Sequence, residues 1–166
     1  SGSNGMLYRW HFHSCKKRGL DVGKTKRGKG TKLMAVADRS GFPVAVHVAS
    51  ASPHEVRLAE ETLKRKHVRK SPEKLIGDKA YDSDPLDKRL KAKGIELIAP
   101  HKENRIKPGT QDGRKLRRYK RRWKIERLFA WLQNYRRIVV RYEYHSQNYL
   151  AFVQLGCIVI LLKQYL

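Results

Sequence analysis

The order of β-prone runs and helix signals constrains the fold of this chain more than any other feature. Residues 32–37 and 43–49 are β-prone and are joined across Asp38-Arg39-Ser40-Gly41, a run of turn residues, which predicts a β-hairpin. The signals that follow predict, in order, a helix from Ser52 to about His67, a strand at 75–77, a helix from Asp84 to Gly94, a strand at 95–99, a helix from Arg114 to about Arg136 and a last helix at 146–166. Strands that alternate with helices after a hairpin indicate a mixed α/β layer architecture.

Three further stretches complete this outline. Residues 19–32 are rich in Gly and Lys without periodicity and are expected to form a mobile basic loop. Residues 100–113 are polar and basic and are expected to form an exposed loop. The apolar run 149–162 is interrupted by Gln154 and is too short to span a bilayer, so we expect a buried C-terminal helix and no membrane span.

The charge of the chain argues against an ordinary metabolic enzyme. It carries 38 Lys and Arg against 15 Asp and Glu, a net charge of +23, while 40% of its residues are hydrophobic. That apolar content suffices for one core, so disorder is disfavoured. A large excess of cations favours contact with a polyanion, because binding releases the polyanion's counterions. Nucleic acid is therefore the leading partner, with an acidic membrane surface second.

The N-terminal residues and the two cysteines give little further information about fold or function. Residues 1–5 are small and polar and are interpreted as an expression remnant, and nothing there resembles a signal peptide, which favours a cytoplasmic location. Cys15 and Cys157 are too isolated to indicate a disulfide framework or a zinc site.

Two acids are distinguished by their positions. Asp78 follows a predicted strand, at the sheet edge where open α/β sheets usually bind ligands. Glu126 lies on the long predicted helix, where helical periodicity places it with Tyr119 and Arg122 on the side expected to face the core. A buried carboxylate must be paired, protonated or bound to a cation. Glu126 could pair with Arg122 one turn earlier, or it could join Asp78 around Mg²⁺, and residue chemistry alone does not choose.

Two motifs carry a family resemblance. The segment Tyr119-Lys-Arg-Arg122-Trp-Lys-Ile-Glu126 resembles the Y-(2)-R-(3)-E-(6)-K signature of DDE transposases from bacterial insertion sequences, and Leu75-Ile-Gly-Asp78-Lys-Ala-Tyr81-Asp82 resembles their second-aspartate motif. The resemblance runs from about residue 16 to the C-terminus and implies an RNase H-like mixed sheet flanked by helices over residues 19–166. It also implies that Asp78 and Glu126 bind Mg²⁺ or Mn²⁺, with Arg122 and Tyr119 as catalytic companions. The final lysine of the signature falls on Gln133.

The first acid that the resemblance implies is missing. Alignment on Lys16-Lys17 places Arg9-Trp10 where such transposases have Asp-Gly. Asp21 and Asp38 are the nearest substitutes, and each is more readily explained as an ordinary loop residue. Codons for residues 8–19, shifted by one base, permit Ile-Asp-Gly-x-Phe-x-Arg-Ala-Lys-Lys-Gly-Gly. We therefore hypothesise that the chain is the downstream reading frame of a split transposase, with residues 6–18 an atypical segment translated out of the ancestral frame.

Basic clusters surround the proposed site and are expected to contact DNA phosphates, which position a duplex without reading its sequence. The candidate contacts are Lys24, Lys26, Arg27, Lys29, Lys102, Arg105, Lys107, Arg114, Arg117, Arg118 and Arg121. Asp82 and Asp84 lie close to Asp78 but are expected to be a turn residue and a helix cap.

Together these features predict a metal-dependent DNA strand cleavage and strand transfer domain that acts on transposon ends and target DNA in the bacterial cytoplasm, at the nucleoid. It is expected to be incomplete without its first aspartate, to work with an upstream reading-frame product, and to form a homodimer in a transposition complex. The alternatives are a non-catalytic DNA-binding module and a structure-specific nuclease on the same fold.

Overall fold

A computed structural model describes residues 5–16, 18–26, 28–109 and 117–164, with the side chains of residues 117 and 118 left out. Within these ranges six strands form one sheet. The strands are β1 (Gly5–Ser14), β2 (Gly23–Thr25), β3 (Gly28–Ala37), β4 (Pro43–Ser50), β5 (Lys74–Ile76) and β6 (Glu96–Ile98).

The first strand is the centre of the sheet. Strand β1 pairs antiparallel with β3 on one side and parallel with β5 on the other, where Leu7 is the register partner of Ile76. Strand β6 continues the parallel half beyond β5, and β4 pairs with β3 on its outer side. Strands β1, β5 and β6 therefore run in the same direction, and β5 and β6 end at the level of Leu7 while β1 continues to Ser14.

Helices cover both faces of this sheet. They are α1 (Glu55–Lys64), α2 (Asp84–Ala92), α3 (Trp123–Gln133), α4 (Arg136–Val139) and α5 (Ser146–Leu162), with 3₁₀ turns at Lys79–Tyr81 and Arg117–Arg122. Residues of α1 and α2 share one buried cluster with the sheet, and residues of α3 and α5 share the other. The predicted mixed α/β layer architecture is confirmed.

Alternate side chains of β1 are buried on opposite faces of the sheet. Met6 and Tyr8 are buried with α1 and α2, whereas Leu7 is buried with α3 and α5. Because successive side chains of a strand point to opposite faces, Arg9 shares the face of Leu7. The segment interpreted as atypical thus forms a regular central strand.

The predicted mobile loop at 19–32 is wrong over most of its length. Residues 23–25 and 28–32 belong to β2 and β3, where Lys24 is the register partner of Lys29. The Thr31 side chain donates a hydrogen bond of 2.8 Å to the Asp21 carbonyl. Gly and Lys have weak strand propensity, so the local sequence does not favour an extended conformation. Hydrogen bonding to β1 and β4 stabilises the strand instead.

Several predicted helix boundaries also differ. Helix α1 begins at Glu55 rather than near Ser52, with the His54 ring nitrogen accepting the Val56 N–H at 3.4 Å. The long predicted helix begins as an α-helix only at Trp123, after a 3₁₀ turn, and its expected start at Arg114 lies outside the described residues.

The last helix is only half buried, which corrects the expectation of a buried helix. Leu155, Ile158 and Leu162 are 57%, 50% and 54% exposed along one side of α5, while Val153 and Cys157 are buried on the other. Among the described helices, none combines the length and the apolar content that a membrane span requires.

A buried arginine ties distant segments together. Arg141 is 1% exposed, and its guanidinium donates to the Leu20 carbonyl at 2.6 Å, the Tyr144 carbonyl at 2.9 Å and the Thr31 hydroxyl at 2.7 Å. Carbonyl and hydroxyl oxygens, rather than a carboxylate, solvate this cation.

Candidate active site

Strand β1 places Arg9 at the centre of the candidate site. Leu7 packs in the cluster formed by α3, so Arg9, two residues further along the same face, also faces that helix. Its guanidinium forms an ion pair with Glu126 of α3, through Nη1 and Oε1. Alignment of the sequence places Arg9 at the position of the first acid of the family pattern. In the structure this arginine contacts Glu126, which occupies the position of the third acid.

Asp78 reaches the same edge of the sheet from β5. It follows Ile76 by two residues, and Ile76 forms the last pair of β5 with β1, opposite Leu7, just as Arg9 follows Leu7 by two residues. The backbone at Asp78 is extended, and its Oδ1 accepts the Ala80 N–H at 2.8 Å, which caps the 3₁₀ turn that follows. This hydrogen bond fixes the carboxylate at the carboxyl edge of the parallel strands.

Glu126 has a second cationic partner. Its Oε1 lies 3.0 Å from Nε of Arg122, and the Arg122 guanidinium stacks over the Tyr119 ring at 5.0 Å and donates to its hydroxyl at 2.5 Å. The structure therefore contains the ion pair that the sequence offered as one alternative for Glu126. The Glu126 side chain is 39% exposed and lies at the rim of α3, which corrects the expectation of a core-facing acid.

Gln133, where the signature has lysine, also contacts β1. Its amide nitrogen lies 2.9 Å from Nε2 of His11, two residues beyond Arg9 on the same face. Helix α3 is therefore tied to β1 at both Glu126 and Gln133.

The residues at this site do not fit a divalent metal ion. Mg²⁺ and Mn²⁺ require several oxygen ligands, and here two guanidinium groups surround one of the two acids. In the part of the chain that the structure describes, no group of three His, Cys, Asp or Glu side chains is placed to hold a metal. The two substitute acids have local roles: Asp38 accepts the N–H groups of Ser40 and Phe42, and Asp21 accepts the Ser146 hydroxyl.

Asp82 and Asp84 anchor the loop that follows β6. Asp82 accepts the Lys102 N–H at 2.8 Å and pairs with Arg105 at 2.8 Å, and Arg105 also pairs with Asp84 at 2.7 Å. Burial alone would raise the pKa of Asp82, but these hydrogen bonds and the neighbouring His101 hold that pKa below its usual range. Asp84 is the first residue of α2, after the cap residue Ser83, and the Arg105 hydrogen bond lowers its pKa. Sequence reasoning missed this cluster, in which the charge of Arg105 is neutralised within the chain.

The remaining candidate DNA contacts divide into three groups. The first group has exposed side chains and consists of Lys24, Lys26, Lys29, Lys107 and Arg121, with Lys102 partly exposed. Arg27 and Arg114 lie outside the described residues, as do the side chains of Arg117 and Arg118. Ser14 at the end of β1 pairs with Gly30 near the start of β3, so the β2–β3 hairpin extends the sheet beyond the carboxyl end of β1.

Comparison with known proteins establishes the family. The family model described as the transposase DDE domain matches residues 9–162, and the chain belongs to this family. The chain is 30% identical over 139 residues to a putative transposase for insertion sequence element IS402 from Burkholderia cepacia. That alignment covers 79% of this chain but only 62% of the relative, so the chain spans less than two thirds of its length.

The fold agrees with this assignment. A piggyBac transposase, solved as a synaptic complex with hairpin DNA, superposes with a TM-score of 0.64 at 12% identity, over 94% of this chain and 45% of that one. The mixed sheet flanked by helices is the RNase H-like fold that the resemblance implied.

Proposed function

We propose that this chain is the catalytic-domain portion of an insertion-sequence transposase, that it binds double-stranded DNA, and that it is catalytically incomplete as it stands. The ion pair between Arg9 and Glu126 carries this proposal, because it puts a cation where the family pattern requires the first acid. Asp78 and Glu126 supply the other two acids of that pattern.

DNA binding is supported by charge and position. The net charge is +23, the β2–β3 hairpin carries exposed lysines beyond the carboxyl end of β1, and Arg121 is exposed in the 3₁₀ turn that precedes α3. Contacts of this kind neutralise phosphates, so the affinity should depend steeply on salt and little on sequence. Arg105 contributes less than its sequence position indicates, because Asp82 and Asp84 already hold it.

The complete transposase would cleave and transfer DNA strands with Mg²⁺ or Mn²⁺, as its family resemblance implies. Here Arg9 replaces the first acid, so we propose that an upstream reading-frame product supplies the Asp-Gly segment. The sequence that recognises the transposon ends would also come from that product, and two copies would act together at the bacterial nucleoid, in the cytoplasm.

A non-catalytic DNA-binding module is the second candidate. The same ion pair favours it, since a chain that neutralises its own acids keeps the fold and the basic surface without the chemistry.

Cleavage of a plasmid that carries the ends of the encoding element separates the two candidates. One protein is the chain itself, and the other has residues 8–19 replaced by the shifted-frame peptide with Asp-Gly. We expect Mn²⁺-dependent cleavage only with the replaced segment, and its loss on Asp78→Asn. Strong cleavage by the unmodified chain would refute the incomplete site, whereas binding without cleavage by both proteins would favour the module.

A further inference from the structure

The charge balance at the candidate site differs from that of a three-acid site. Arg9 and Arg122 both pair with Glu126, and Asp78 follows the neighbouring strand β5, so the formal charges of these four side chains sum to zero. Three carboxylates held together would repel one another and would need a cation to remain ionised. The site in this chain does not need an added cation to keep its carboxylates ionised.

Arg9 also remains open to solvent. Its side chain is 31% exposed and that of Arg122 is 36% exposed, so neither ion pair is sealed in the core. Among the described residues, Glu126 is the only ion-pair partner of Arg9, and it is bound through a single guanidinium nitrogen. The planar guanidinium carries further N–H donors, which suit a phosphate oxygen.

We infer that the Arg9 guanidinium is a built-in cation that takes the place of a divalent metal ion at this site, so that DNA phosphates are bound there without metal. An approaching Mg²⁺ or Mn²⁺ is repelled by two guanidinium groups and finds Glu126 already paired. The part of this inference that concerns DNA rests on the proposed function; the part that concerns metal does not.

Thermal melts with Mn²⁺ or EDTA test the metal part on the chain alone. The melting temperature of the unmodified chain should be the same in 5 mM Mn²⁺ and in EDTA. Arg9→Asp should melt lower in EDTA, because Glu126 then faces a carboxylate instead of a guanidinium, and should gain about 5 °C or more in Mn²⁺. The gain should disappear in Arg9→Asp combined with Glu126→Gln.

A charge-matched control variant distinguishes an effect of the substitution at position 9 from an effect of the change in net charge. Arg57 is exposed on α1, on the opposite face of the sheet, so Arg57→Asp changes the net charge equally. It should show no Mn²⁺ response. If Arg9→Asp fails to fold, Arg9→Gln removes the guanidinium without adding an acid, and it should melt higher in Mn²⁺ than in EDTA.

Binding to a 30-base-pair duplex of arbitrary sequence tests the DNA part. The affinity of the unmodified chain should be equal in EDTA and in Mn²⁺. Arg9→Asp should bind on the order of tenfold more weakly in EDTA and should recover in Mn²⁺. Arg57→Asp should show no such recovery.

Stabilisation of the unmodified chain by Mn²⁺ as large as that of Arg9→Asp would overturn the inference, and so would the absence of any Mn²⁺ response in whichever Arg9 variant folds. If the unmodified chain bound no duplex at all, the proposed function would fail while the melts would still decide the role of Arg9.

Discussion

Removing the charge of Glu126 measures how much its two ion pairs contribute to stability. Glu126→Gln keeps the shape of the side chain but ends its Coulomb attraction to Arg9 and Arg122. If Arg122 were buried, leaving it unpaired would cost about 3 kcal/mol. All three side chains are instead 31–39% exposed, and partly exposed pairs contribute roughly 0.2–1 kcal/mol each. Two pairs therefore predict a loss of about 1 kcal/mol.

Urea denaturation in EDTA, followed by circular dichroism, measures this loss. Glu60→Gln is a matched control, because Glu60 is also partly exposed, at 21%, and has two cationic partners, Arg89 at 2.6 Å and Lys93 at 2.6 Å. The two variants should lose similar free energies of unfolding, with unchanged m-values. A loss of 3 kcal/mol or more for Glu126→Gln alone would mean that its partners are effectively desolvated, and would refute the reasoning from exposure.

Three other predictions concern pH, a buried cation and salt. Burial and the neighbouring His11 lower the pKa of His13 from 6.5 to about 4 in the folded chain. As the pH falls, His13 is therefore protonated in the unfolded chain before it is protonated in the folded one. The free energy of unfolding should therefore decrease by about 3 kcal/mol between pH 6.5 and 4, and His13→Gln should flatten that part of a urea titration series. Arg141→Lys should lower stability by about 3 kcal/mol in urea denaturation, because an ammonium cannot reach all the oxygens that the guanidinium binds, whereas the exposed Arg137→Lys should change it by less than about 0.5 kcal/mol. Duplex affinity measured by fluorescence anisotropy should fall with a log-log salt slope near −5 for about six phosphate contacts, and a slope near zero would show that the basic clusters are only solvated.

The sequence predicts the hairpin, the two short strands and the position of Asp78 because those features are local. Apolar runs, turn residues and the Gly94 that ends α2, with φ of +72°, can be identified without knowing what packs against them. Strand β2 could not be predicted in this way, since its Gly and Lys residues become a strand only through pairing with β3.

The contents of the candidate site were only partly predictable. Motif spacing placed Glu126 with Arg122, and alignment placed Arg9, but no local pattern relates two residues that lie 117 positions apart. Arg141 was missed for a similar reason: nothing in its neighbourhood distinguishes one buried arginine from many exposed ones in so basic a chain.

The central position of β1 has a consequence for how the chain is made. Ribosomes synthesise the strand at the middle of the sheet first, yet its parallel partner β5 follows about 60 residues later, and α5 comes last. Until α5 emerges, the apolar side of β3 and β4, with Leu33, Val46 and Val48, has no complete cover. Unfinished chains with such a surface tend to aggregate, but like charges keep them apart. The cationic excess that we propose serves DNA binding thus also opposes aggregation of the unfinished chain during synthesis.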